Sequence, residues 1–137
     1  MLDIKYVRDN QAAVAEAMEN RHASWDAARF SELDETRRAA IAKEEALQAE
    51  RNAASKSIGA MMGAGQKDEA EAAEERVRAI NDELAVIGKE REAADEALRD
   101  LLLATPNMPA DSTPVGASED DNPEVRRWGT PRDFAAE

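Results

Sequence analysis

Few side chains in this sequence have the types and spacing for chemistry. There is no cysteine, and His22 is the single histidine. Thiol catalysis, disulfides and thiolate metal sites are therefore excluded. One imidazole within Asn20-Arg21-His22-Ala23 lacks the companion ligands of a metal site and reads as a solvated loop residue. The pairs Glu44-Glu45, Glu74-Glu75 and Asp120-Asp121 have the residue type for general acid–base work, yet on helix faces such pairs serve as solvating charge. Gly59, Gly63 and Gly65 lack the Lys-Ser/Thr that completes a phosphate-binding loop. No catalytic residue and no metal ligand is assigned.

The remaining chemistry is cationic. Arg37, Arg38, Lys43, Arg51 and Lys56 lie along one predicted helix and have the charge to meet phosphates. At 100° per residue, Arg37 and Arg51 point one way and Arg38 and Lys56 another, so they form no continuous stripe. Ion pairing within the helix, such as Arg38 with Asp34 or Lys43 with Glu50, is the competing reading. Met61-Met62 has the adaptable apolar character of a contact site, but Met61 also continues a seam of apolar residues.

The elements that must position these residues are helical. Ala, Glu, Arg and Leu dominate and aromatics are scarce, a composition of long helices rather than of a wide globular core. The net charge of −12 argues against nonspecific nucleic-acid binding. That charge is uneven. Residues 33–62 hold five basic and five acidic side chains, 66–104 six and twelve, and 105–137 three and seven. An anionic partner is expected to prefer the first long helix. No apolar run approaches the roughly 18 residues of a membrane helix, and the start has no secretory signal, so a cytoplasmic location and no membrane partner are expected.

Residues 1–32 predict a short helical cap, with Ile4, Val7, Val14 and Met18 at helical spacing and Asp9 or Asn10 as an N-cap. Trp25, Phe30 and Leu33 form a second apolar cluster. The first arm helix is predicted over about 33–62. Its row Leu33, Ala40, Leu47, Ala54, Met61 has strict heptad spacing, while the row Phe30, Arg37, Glu44, Arg51, Ile58 is polar in its middle. Gly63 and Gly65 suit a helix end and the turn beyond it. A second helix is predicted over 66–104. Ala70, Ala73, Val77, Ile80, Leu84, Ile87, Arg91, Ala94, Leu98 and Leu101 keep the alternating 3–4 spacing of a coiled-coil seam. A turn of a few residues makes the two helices antiparallel, roughly 45 and 58 Å long. The base near Phe30, Leu33, Leu98 and Leu101 is expected to be firmer than the tip. Pro106 and Pro109 end the second helix. The tail 105–137 is irregular, with Val125-Arg126-Arg127-Trp128-Gly129 as one short strand. The fold class is all-α: a long antiparallel two-helix coiled-coil hairpin with a short N-terminal helical cap and an irregular tail.

Two stretches carry a more specific signal. One is Arg51-Asn52-Ala53-Ala54-Ser55-Lys56-Ser57-Ile58-Gly59 ahead of the turn. The other is Pro106-Asn107-Met108-Pro109, then Pro114-Val115-Gly116, Glu119-Asp120-Asp121-Asn122, Val125-Arg126-Arg127-Trp128-Gly129 and Phe134. With the opening Met1-Leu2-Asp3-Ile4-Lys5 and Arg8-Asp9-Asn10, they resemble the N-terminal region of bacterial seryl-tRNA synthetases along essentially the whole chain.

The resemblance implies an arm that grips the long variable arm of serine tRNA. It implies contacts from Arg51, Asn52 and Lys56, with Arg37, Arg38 and Lys43 added on charge alone. It implies that residues 105–137 connect 1–32 and 33–104 to a catalytic domain absent from this sequence. The full-length enzyme would use ATP and Mg and would be a homodimer; the chain itself would be an inactive, cofactor-free monomer with weak, salt-sensitive RNA binding. The rival reading is a freestanding coiled-coil module for a protein partner, which explains the seam and the acidic charge but not the tail motif.

Overall fold

Asp3 starts the first helix: its carboxylate accepts a hydrogen bond from the Tyr6 backbone N–H at 2.8 Å, satisfying one of the free donors of the first turn. The structure, a computed structural model, describes residues 1–135. Helix α1 runs Ile4–Asp9 and α2 Gln11–Asn20, with Asn10 between them. Asn10 is the backbone cap of α2, but its side-chain amide donates to the Tyr6 carbonyl instead of capping. Asp9 is the last residue of α1, not a cap.

Helix α2 ends in a Schellman motif. The His22 N–H donates to the Glu19 carbonyl and the Ala23 N–H to the Met18 carbonyl, each at 2.9 Å. His22 takes the left-handed conformation this motif requires, at φ 51°.

Helix α3 runs Ala27–Gly63 and α4 Lys67–Ala104. At 37 and 38 residues they are each about 56 Å long. Helix α3 begins six residues before the expected Leu33. The reason is local: the Asp26 carboxylate accepts from the Arg29 N–H at 2.9 Å and caps the helix there. Beyond α3, Gly65 at φ 78° completes a second Schellman turn, with the Gln66 N–H on the Met61 carbonyl at 3.0 Å. The two helices pack side by side and antiparallel.

All ten predicted seam positions of α4 are buried or half-buried, and so are both predicted rows of α3. The apolar contacts divide into two clusters. At the base, Leu2, Val7, Val14, Ala17, Met18, Phe30, Leu33, Leu98 and Leu102 are buried together. Trp25 stacks obliquely on Phe30 with ring centroids 5.7 Å apart. Midway along the arm, Ala40, Leu47, Ile80 and Ile87 form a thinner cluster. Towards the tip only Ala70 is buried, so little apolar area holds the last turns together.

One seam expectation shifts at the base. Leu102 is fully buried while Leu101 is half-buried. The cap packs there as a further layer and rotates the buried stripe onto Leu102. The buried Asp34 lies on the same flank, held by Arg8 of α1.

The residues after α4 join this base. Buried Thr105 donates to the Leu101 carbonyl at 2.8 Å, Arg21 donates to the Asn107 carbonyl at 3.3 Å, and Met108 packs on the base cluster. Beyond it a 3-10 turn, Glu119–Asp121, is capped by Ser118. The expected strand at 125–129 does not form: Val125 and Trp128 are almost wholly exposed, and no strand occurs among the described residues. A lone strand has no ladder partner here to satisfy its backbone groups.

Candidate nucleic-acid interface

The heptad register decides where each predicted contact residue sits. In α3, Phe30, Arg37, Glu44, Arg51 and Ile58 occupy position a, and Leu33, Ala40, Leu47, Ala54 and Met61 position d. Their charged members meet α4 differently along the arm. The Arg37 guanidinium bonds the Asp95 carboxylate across the seam, and Glu44 pairs with Arg91 at 3.0 Å. Arg37 lies between the base cluster and the mid-arm cluster, and Glu44 between Ala40 and Leu47 of the latter, so each of these two charged members of the a row is matched by a charge of α4 and the row is polar there without opening the hairpin.

Arg38 is also engaged. It lies 3.2 Å from the Asp34 carboxylate, in the i,i+4 pair expected from the sequence. Asp34 in turn receives both nitrogens of the Arg8 fork at 2.6 Å. The Arg8 hydrogen bonds hold its carboxyl below the usual carboxylate range despite burial, with the charges of Arg8 and Arg38 acting in the same direction. Arg37 and Arg38 are therefore already committed to carboxylates of the chain.

Lys43, Arg51, Asn52 and Lys56 are not. None has a hydrogen-bond or ion-pair partner among the described residues. The expected Lys43–Glu50 pair does not form, because Glu50 takes Arg76 of α4 at 2.7 Å. That bond, with its charges, lowers the Glu50 pKa and raises that of Arg76.

The free residues do not share one face. Lys43 sits in a groove with Asp82, Glu83 and Glu90. Arg51 borders the opposite side, Asn52 lies on it, and Lys56 lies on the outer edge. Arg78 of α4, which lies outside the cations expected on the first helix, is also exposed and has no partner among the described residues. Its heptad position was the signal available for finding it.

Among the described residues no group of three or more His, Asp or Glu side chains could hold a metal ion, and no helix is long and apolar enough to cross a membrane. The arrangement offers polar and cationic groups on an extended rod, suited to docking against a charged backbone rather than to enclosing a small substrate.

Residues 1–109 match the seryl-tRNA synthetase N-terminal domain, a span that covers all four α-helices and the first residues after α4. The serine–tRNA ligase of Neisseria meningitidis serogroup C is 46% identical over 134 residues, which are 98% of this chain and 31% of that protein. That of Nitratidesulfovibrio vulgaris is 44% identical over 135 residues, 98% of this chain and 31% of that protein. That of Francisella tularensis subsp. novicida is 42% identical over 137 residues, 100% of this chain and 32% of that protein. The chain spans about a third of the length of these relatives. By the match over residues 1–109 and this identity from end to end, the chain belongs to the seryl-tRNA synthetase N-terminal domain family.

Proposed function

We propose that this chain is the tRNA-binding arm of a serine–tRNA ligase and grips the long variable arm of serine tRNA. The observation that carries the reading is end-to-end identity to serine–tRNA ligases, at 46% over 98% of the chain. The free cations of the outer arm support it chemically. Arg51, Lys56 and Arg78 meet phosphates while the side chains around them meet ribose, so recognition follows the shape of the RNA more than its bases.

In this reading residues 1–32 are the cap, 33–104 the arm, and 105–137 the connector to a catalytic domain. The whole enzyme joins serine to its tRNA with ATP and Mg, as a homodimer in the cytoplasm. The described residues offer no donor set for Mg, so no step of that reaction is assigned to them. The arm alone is a monomer that binds RNA and does not activate serine.

A gel-shift with two forms of serine tRNA, one intact and one with the variable arm cut to a short loop, tests the proposal. The intact form is expected to shift at concentrations at least tenfold lower. Equal shifts of both, or none of either, would sink it.

A further inference from the structure

The two broad sides of the arm are chemically unlike. With Ala70, Val77, Leu84, Arg91 and Leu98 of α4 at a and Ala73, Ile80, Ile87, Ala94 and Leu101 at d, the g and c positions of both helices lie on one side of the seam, and the e and b positions on the other. Contacts within the hairpin agree with this. Glu50 and Arg76, both at g, bond each other at 2.7 Å, and Lys43, Glu83 and Glu90, also at g, line a single groove with Val86 at c.

The g side is poor in free donors. Every seventh residue from Ala39 to Ala60 is alanine, and its c row in α4 is Ala72, Ala79, Val86 and Ala93. Its cations are Arg29, paired with Glu32, Arg76, paired with Glu50 and Glu83, and Lys43 among three carboxylates. A phosphate approaching there meets net negative charge.

The e side differs along its outer half. There α3 presents Gln48, Asn52 and Ser55, with Arg51 at the adjoining a position, and α4 presents Arg78 and Asn81. Arg51 is half-buried and the other five are exposed. None of the six has a hydrogen-bond or ion-pair partner among the described residues. Glu45 bounds this stretch towards the base and Glu74 towards the tip; no acid on the e and b rows lies between them. Amides and hydroxyls both donate and accept, as a ribose 2′-OH requires, and guanidinium forks fit phosphate oxygens. Nearer the base the same side is covered by the cap, through Arg8 on Asp34 and the burial of Leu102. The open stretch thus begins where the cap leaves off.

We infer that RNA lies along this e side, and that the acidic helix α4 supplies two of its contacts, Arg78 and Asn81, rather than only supporting α3. The inference rests on the tRNA reading above and adds the face and the second helix to it.

The absence of cysteine allows a direct test in this chain. Single substitutions Ser55→Cys and Ala85→Cys place a photo-crosslinker on the e side; Ala46→Cys and Ala79→Cys place it on the g side. All four positions are exposed. On irradiation with serine tRNA, the e-side positions are expected to cross-link at least fivefold more efficiently. In parallel, Arg78→Gln with Asn81→Ala is expected to weaken serine tRNA binding five- to tenfold, and Lys43→Gln less than twofold.

Equal cross-linking from both sides, or stronger cross-linking from the g side, would overturn the face assignment while leaving tRNA binding intact. Face-selective cross-linking with no loss from the Arg78/Asn81 variant would overturn the role of α4. No gel-shift and no cross-link from any position would overturn the tRNA reading and this inference with it. Circular dichroism of each variant separates a binding loss from an unfolded arm.

Discussion

Asp34, 2% exposed, accepts hydrogen bonds at 2.6 Å from both Nε and Nη2 of Arg8, twenty-six residues earlier in the chain. The fork joins α1 to α3 at the point where the arm leaves the base, so it fixes the cap on one flank of the hairpin. Breaking it leaves Arg8 facing a neutral group in a half-buried position. Asp34→Asn is expected to destabilise the base by about 2–3 kcal/mol, measured by urea unfolding. A change below about 0.5 kcal/mol would mean that the fork is no more than a solvated surface pair.

The same carboxylate gives stability a pH dependence. Its folded pKa lies below its ordinary value, so the unfolded chain takes up the proton first as pH falls. The contribution is full above about pH 5 and is lost as pH falls through the folded value. In acid titrations from pH 6 to pH 2, the wild-type chain is expected to lose more stability than Asp34→Asn, and the two curves should converge at the acid end.

The arm should weaken from base to tip. Ile80 is fully buried in the mid-arm cluster, whereas Met61 is half-buried near the turn. Ile80→Ala is expected to cost about 2–4 kcal/mol and Met61→Ala under about 1 kcal/mol in thermal unfolding. Amide exchange should show the same gradient, slowest around Phe30 and Leu98 and fastest beyond Ala54 and Val77. Uniform protection along α3 and α4 would contradict a tip with almost no core.

His22 carries a left-handed backbone, at φ 51°, in the turn that closes α2. A side chain there is strained, and glycine would relieve it. His22 is exposed and makes no side-chain bond among the described residues, so little is lost on replacing it. His22→Gly is expected to raise stability by about 0.5–1 kcal/mol, and His22→Val to lower it. Thermal melts of the two variants check the sign.

Salt should weaken RNA binding in proportion to the phosphates neutralised. With two or three contacts from Arg51, Arg78 and Lys56, the logarithm of the binding constant should fall with log salt at a slope of about −1.5 to −2.5. Arg78→Gln should reduce that slope by about one contact's worth. A slope near zero between 50 and 200 mM salt would show that these cations do not meet phosphates.

The sequence alone determined the hairpin. Repeats of period 3.5 need no partner to be read, and Gly65 and Pro106 mark ends because their backbones resist continuing a helix. Asp26, a residue type that caps helices, starts α3 six residues before Leu33. The pair of Arg38 with Asp34 was legible at its i,i+4 spacing, but the state of the other cations was not, because Arg37, Arg51 and Lys56 read alike along one helix. Only the antiparallel register brings Asp95 to Arg37 and Arg76 to Glu50, and only the folded-back cap brings Arg8 to Asp34. Those partners lie 26 to 58 residues away in the chain, a separation that local periodicity does not encode. The packing of one helix on the other thus decided which charges are spent inside the molecule and which remain exposed without a partner.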